Sequence, residues 1–193
     1  MVPLLECYWD GPNTWPLNGE ELLDPRREVS RTEQMMRFEH ALLPLYWQAV
    51  RVQQRGISHR NFCVACAVWA FREDASSFAS RWKWFFGVNS KVLSDSRNTC
   101  AEPVALTSAH TEFYSEVPGM LIVGETQADE DGIVYPTLRP CKHCRLLLQN
   151  HPLVTPETII VTARLPHKII ATFSDTIHEI HTLAELLEAY RKN

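Results

Sequence analysis

The chain has 193 residues, 45% of them apolar and 22% charged, an ordinary globular composition, and at roughly 100–200 residues per domain that length suits one domain with an extension better than two. Acidic side chains outnumber Lys plus Arg by 23 to 19, a formal net charge of -4, which makes nucleic acid an unlikely partner because proteins that track a phosphate backbone carry a concentrated basic excess. The opening MVPLLECYWDGPNTWP has neither a basic segment nor a continuous apolar run, and no later run approaches the roughly 18 apolar residues of a spanning helix, so a soluble, cytoplasmic protein with no membrane partner is expected.

Residues 1–30 mix Trp9, Trp15, Gly11, Gly19, Pro12, Pro16 and Pro25 with no steady period and read as an N-terminal extension laid over a domain at 31–193. From Arg31 onward, Met35, Met36, Phe38, Leu42, Leu45, Tyr46, Ala49 and Val50 recur at helical spacing until Gly56 ends the pattern, which predicts the first helix. FCVACAVWAF at 62–71 is apolar at odd and even positions alike. A strand of that kind belongs inside a sheet with helices on both faces. The polar stretch at 72–81 leads to a second strand at 82–92, then a helix starting near Cys100, a third strand at 120–124, and a helix at 141–149 that His151 and Pro152 terminate. Two strands follow at 158–163 and 168–173, separated only by Arg164, Leu165, Pro166 and His167. That gap permits a hairpin but no crossover helix, so the two strands are expected to pair antiparallel. Residues 182–190 place Leu183, Leu186, Leu187 and Tyr190 on one helical face. The order α-β-β-α-β-α-β-β-α predicts an α/β protein of three α/β/α layers, with a mixed five-stranded sheet whose last two strands are antiparallel.

Six cysteines, Cys7, Cys63, Cys66, Cys100, Cys141 and Cys144, are few for the length and carry no secretory context, which favours reduced thiols or metal ligands over a disulfide framework. Two segments stand out, Thr99-Cys100-Ala101-Glu102-Pro103 and Arg139-Pro140-Cys141-Lys142-His143-Cys144-Arg145. Each puts its cysteines at the start of a predicted helix, where free backbone N–H groups and the positive end of the dipole favour a thiolate. Cys141 and Cys144 share one face of a first turn and can reach a single ion. A third thiolate from Cys100 leaves one tetrahedral position open, the mark of a catalytic zinc. Glu102 is then not needed as a ligand and can face the remaining position. Taken singly, Glu102 could be a dipole partner, and C-x-x-C could be redox or structural zinc. Together and in this order, the two segments resemble the zinc deaminase signature, in which zinc activates a water against an amino-bearing ring carbon and a Glu shuttles protons.

Cys63 and Cys66 also spell C-x-x-C. Residues three apart in a strand point to opposite faces, so both read as buried small hydrophobes. Cys7 lies in the irregular extension. His110 falls about 80° off the Cys100 face of its helix, and His59 and His143 read as surface or rim residues. The acidic loop at 127–132 reads more readily as a solvated turn than as the border of a site.

From about residue 31 to its end the chain resembles the cytidine deaminases and their relatives that deaminate cytosine nucleoside antibiotics such as blasticidin S. ISHRNFCVACA at 57–67 is similar to that family's first strand entry, Gly87-Val88-Asn89 to its G-x-N segment, Cys100-Ala101-Glu102 and Pro140-Cys141-Lys142-His143-Cys144 to its zinc motif, and Thr182-Leu183-Ala184-Glu185-Leu186-Leu187 to its terminal helix. The resemblance implies zinc held by Cys100, Cys141 and Cys144, with Glu102 as the proton shuttle. It also implies Phe62 beside the pyrimidine, a backbone contact from Ala101 to the base, and Asn89 on a sugar hydroxyl. A tetramer or dimer of identical chains is the expected assembly.

Two positions depart from the family. The Glu usually found two residues after the Asn is Lys91, which strand alternation puts on the side of Asn89 at the rim of the site. The Arg often found after C-A-E is Pro103. Blasticidin S deaminases lack both residues as well, and their leucine-rich turn ending in His-Pro is similar to Leu146-Leu147-Leu148-Gln149-Asn150-His151-Pro152. The expected activity is zinc-dependent hydrolytic deamination of the cytosine ring of a free nucleoside, cytidine or deoxycytidine. The alternatives are a modified cytosine nucleoside or nucleotide, a single-stranded nucleic acid, and an inactive zinc-binding scaffold of the same fold.

Overall fold

The structure, a computed structural model, describes residues 31–58, 62–73, 81–91, 99–129, 132–166 and 172–191. The extension expected at 1–30, with Cys7, and His59 lie outside the described residues. In chain order the elements are α1 (Arg31–Gln53), β1 (Ile57–Ser58), β2 (Ala65–Phe71), β3 (Trp82–Val88), β4 (Ser90–Lys91), α2 (Ala101–Thr111), β5 (Glu116–Val123), α3 (Lys142–Asn150), β6 (Ile159–Ala163), a 3-10 turn (Phe173–Asp175), β7 (His178–Thr182) and α4 (Leu183–Arg191). No helix among the described residues is long and apolar enough to cross a membrane.

Five strands form one sheet in the order β3-β2-β5-β6-β7. β2 pairs antiparallel with β3 and β5, β5 and β6 run parallel, and β7 returns antiparallel on β6. The parallel step is possible because the chain between β5 and β6 is long enough to carry α3 back along the sheet. Alternate residues of the central strands feed two cores. Met120 and Ile122 of β5 pack with Ala105 and Leu106 of α2, Leu148 of α3 and Leu186 of α4, whereas Leu121 and Val123 pack with Phe38, Leu42 and Tyr46 of α1. That double-sided burial gives the three layers and the five-stranded mixed sheet that the apolar strand patterns predict.

Four element boundaries differ from the sequence reading. The strand expected at 120–124 begins four residues earlier, at Glu116, and ends at Val123. The first long strand begins at Ala65 rather than at Phe62. The segment at 82–92 divides at Asn89, which is 1% exposed and turns its side chain inward, so β3 ends at Val88 and only Ser90–Lys91 resumes, parallel to Ile57–Ser58. The strand expected at 168–173 is the largest miss. Residues 168–171 lie outside the described residues and Phe173 opens a 3-10 turn that Thr172 and Asp175 close with a reciprocal capping box. The strand that pairs with β6 is His178–Thr182, an edge strand whose residues are all half-buried or exposed, so it never needed the continuous apolar run that drew the expectation. The antiparallel pairing of the last two strands holds, through a connection longer than four residues. Thr182 caps α4: the Glu185 N–H donates to Thr182 Oγ1 at 3.1 Å and the Thr182 N–H to Glu185 Oε2 at 2.7 Å.

Gly87 determines how near α2 lies to the sheet. A Cβ there would stand 2.2 Å from the Ala101 carbonyl oxygen and 2.6 Å from the Ala105 nitrogen, both helix backbone, so nothing flexible can move aside. Gly87→Ala is therefore expected to destabilise the fold by about 1–3 kcal/mol, as overpacking does, read as a lower urea midpoint. An unchanged midpoint would show that α2 can lift from β3 at no cost.

Candidate active site

Both cysteine segments begin helices, as their sequence predicts. Cys100 is the N-cap of α2 and Cys141 that of α3, each in extended backbone and neither using its side chain to cap the helix. Cys144 follows in the first turn of α3, where the Arg145 N–H donates to the Cys141 carbonyl at 2.9 Å. The three sulfurs lie within 4.8 Å of one another, with Cys100 Sγ and Cys141 Sγ 4.0 Å apart. A tetrahedral zinc with bonds of about 2.3 Å needs sulfurs about 3.8 Å apart, so the trio fits one such ion with a fourth position to spare. It is the one such cluster among the described residues.

The remaining cysteines and histidines stand apart from it. Cys66 is fully buried as expected. Cys63 is half-buried and donates its thiol to the Gly56 carbonyl at 3.4 Å. His110 faces the His151 ring, centroids 6.0 Å apart, and His143 is exposed.

Within the trio the hydrogen bonds fall unevenly. The Cys100 and Cys144 thiols hold Cys141 well below the usual thiol range. Bonding to Cys141 pushes Cys100 up to about 11. Cys144 is pushed up by its bonds to both neighbours and by burial. Glu102 lies in the first turn of α2 and is 4% exposed. Burial pushes its carboxyl above the usual range; a bond from its own backbone N–H works the other way, and Cys141, Cys144 and Lys91 are all near enough to act on it. Lys91 reaches this position because Ser90 and Thr99 exchange backbone hydrogen bonds of 2.9 Å, tying β4 to the residue before Cys100. Ala101 is fully buried.

Asn89 is committed to the backbone. Its Oδ1 accepts the Val64 N–H at 2.8 Å and its Nδ2 donates to the Phe62 carbonyl at 2.7 Å. Two of the residues expected on the substrate, Phe62 and Asn89, thus hold one another through main chain and amide, and the half-buried Phe62 ring packs against the core.

A network around the second cysteine segment was not legible beforehand. Arg139, two residues before Cys141, places Nη2 2.5 Å from Glu179 Oε1 and Nε 3.4 Å from Oε2. Thr137 donates to the same carboxylate and shares a 2.6 Å bond with Thr162. Burial alone would raise the Glu179 carboxyl, but the Arg139 and Thr137 bonds outweigh it and hold it below the usual range. The Arg139 guanidinium lies 3.9 Å from the centroid of the Tyr135 ring. Asp129 of the acidic loop forms the expected turn, its Oδ1 accepting the Ile133 N–H at 2.9 Å. That loop is also a border: Asp129, Tyr135, Arg139, Cys141, Arg145 and Tyr190 surround a cavity of about 230 Å³.

Among solved structures, the chain is similar to the cytidine deaminase from Burkholderia pseudomallei, with a TM-score of 0.51 and 21% identity over 72% of this chain and 89% of that one. It also aligns with the cytidine deaminase from Mycobacterium leprae, at 23% identity and a TM-score of 0.47, over 72% of this chain and 91% of that one. No protein-family profile and no curated protein sequence matches it. The Burkholderia likeness shows that the sheet and its helices have the cytidine deaminase fold.

Removing the Asn89 amide leaves a buried N–H and a carbonyl without partners, which costs roughly 1–3 kcal/mol. Asn89→Ala is expected to lower unfolding free energy by about that amount, measured in urea. A variant as stable as the parent would mean that water or the backbone replaces both bonds.

Proposed function

We propose that this chain, with its cytidine deaminase fold, is a zinc-dependent hydrolase that converts the cytosine ring of a free nucleoside, cytidine or deoxycytidine, into uracil with release of ammonia. The observation that carries the reading is the convergence of Cys100, Cys141 and Cys144 within 4.8 Å beside a buried carboxyl, Glu102. Bound there, zinc would supply Lewis acidity that brings the pKa of a water close to neutrality. Glu102 takes a proton from the attacking water, delivers it to ring N3, and passes a further proton to the departing amine. Its raised pKa suits both roles, since a carboxyl poised nearer to neutral pH releases a proton as readily as it accepts one. Ala101, at the buried start of α2, offers its backbone to the base. Phe62 offers its ring edge to the pyrimidine. Lys91, whose charge reaches Glu102, cannot accept a hydrogen bond from a sugar hydroxyl, and a phosphate on the substrate is the group its charge would read.

The supported assembly is a homo-oligomer, tetramer or dimer, in keeping with large apolar side chains left in water at Ile57, Val134 and Leu146, 60%, 65% and 54% exposed. Light scattering at micromolar concentration is expected to give a mass of at least two chains, and a single-chain mass would reject it.

Purified protein is expected to contain about one zinc per chain, with Cys141→Ser and Cys144→Ser each losing it. Glu102→Gln is expected to keep the metal and reduce turnover at least ~10²-fold. Loss of absorbance on deamination should be followed with cytidine, deoxycytidine, cytidine 5′-monophosphate, blasticidin S and short single-stranded DNA. Turnover of a nucleoside supports the reading, preference for the monophosphate assigns the charge of Lys91 to substrate choice, and turnover of DNA alone would replace the nucleoside by nucleic acid. Zinc with no turnover of any of the five would leave a metal-binding scaffold and overturn the enzyme.

A further inference from the structure

We infer that Glu179, at the far edge of the sheet, is a positioning residue for the Cys141 ligand turn, acting through Arg139 and Thr137; the inference rests on the zinc reading above. Among the described residues from Gly124 to Pro140 there is no helix or strand, only an isolated bridge between Ala128 and Val134. Backbone ladders therefore do not determine where Cys141 is presented. Side-chain anchors do, and they converge on one carboxylate. Thr137, 1% exposed, donates its hydroxyl to Glu179, and Arg139 grips both Glu179 oxygens, at 2.5 and 3.4 Å. Arg139 and Glu179 keep only 11% and 15% of their side-chain surface in water. From the other side, Arg145 Nη1 donates to the Pro140 carbonyl at 2.9 Å. Of the three residues between Thr137 and Cys141, Arg139 is thus itself an anchor, Pro140 is held through its carbonyl, and Leu138 is buried in the core.

A pair that merely added stability would be replaceable by apolar side chains. A pair that orients a ligand has a separate consequence: metal leaves when one ligand swings away, and partners behind the ligands typically govern metal affinity by 10–100-fold. The contact spans forty residues of sequence, and no pattern within either segment announces it.

The test uses the zinc-loaded protein and an excess of the chromogenic chelator 4-(2-pyridylazo)resorcinol, comparing the parent with Glu179→Gln, Arg139→Gln, the double variant and Ile160→Val. Ile160→Val trims a buried side chain on the adjacent strand without touching the network. Zinc release from Glu179→Gln is expected to be ~10–100-fold faster than from the parent. The double variant is expected to be no faster than the faster single variant, Ile160→Val to match the parent, and the ligand-field absorption of cobalt-reconstituted Glu179→Gln to shift. Thr137→Val, which removes a hydroxyl and no charge, is expected to speed release by a smaller factor and keeps the test available if Glu179→Gln does not fold. Release and cobalt spectra unchanged in Glu179→Gln, or acceleration equalled by Ile160→Val, would overturn the inference and leave the zinc reading standing. A parent that binds no zinc would overturn both.

Discussion

Helix α2 lies on β3 with nothing between them at Gly87, and the rest of the site depends on that contact. The space a Cβ would occupy ends 2.2 Å from the Ala101 carbonyl. The helix face turned to the sheet carries Ala101, Ala105 and Ala109, all fully buried. Small residues on both partners let the axis come close, so the first turn of α2 is set by backbone against backbone rather than by long side chains with alternative rotamers. Cys66, opposite Gly87 in the β2–β3 register, continues the thin layer beneath Glu102. Cys100 and Glu102 ride on this helix, while Cys141 and Cys144 ride on α3. Three sulfurs can meet within 4.8 Å only if both helices are held at a defined height above the same sheet.

Bringing these groups together is electrostatically unfavourable. A buried carboxyl and three thiols concentrate potential negative charge where little water remains; burial duly pushes Glu102 and Cys66 upward, and bonds to Cys100 and Cys141, with burial behind them, push Cys144 up. Three features work against that cost. Two helix N-termini point at the sulfurs; Lys91, on the strand that the Ser90–Thr99 pairing ties to the start of α2, acts on Glu102; and the proposed divalent cation would contribute most. Pro103 fits the same arrangement. It occupies the first turn of α2, where a backbone N–H has no intrahelical acceptor to lose, and the positive charge that acts on Glu102 comes from Lys91 on β4.

Much of this was legible in the sequence, and what was missed has a common character. α1, α2, α3 and the central strands follow from local periodicity because each buries a face, and the Cys100, Cys141 and Cys144 cluster follows from two short motifs at helix starts. The strand through Asn89 is shorter than its pattern suggests for a geometric reason. Alternation predicts one strand from Asn89 to Lys91, but the Asn89 side chain interrupts it to bind the Phe62 and Val64 backbone. The last strand was misplaced because an edge strand can be polar, and HEIHT offers no apolar period to find. The Arg139–Glu179 network was invisible for a different reason: buried charge pairs form between distant segments whose separate compositions look like ordinary surface.

The misplaced strand and the missed network turn out to be one feature. Antiparallel pairing with Thr162 opposite Glu179 and Val161 opposite Ile180 sends Glu179 to the face carrying the ligand helices and Ile180 to the other, where it is 50% exposed. Side chains alternate strictly along a strand, so a slip of one residue would exchange the two. Ile180 would then face Thr137 and Arg139, stranding a guanidinium without its carboxylate. The register of an edge strand, usually the most tolerant part of a sheet, is in this chain constrained by the loop that presents Cys141. The fold and the site therefore share a requirement: β7 must return antiparallel on β6, in this register, for Glu179 to meet Thr137 and Arg139 ahead of the second cysteine segment.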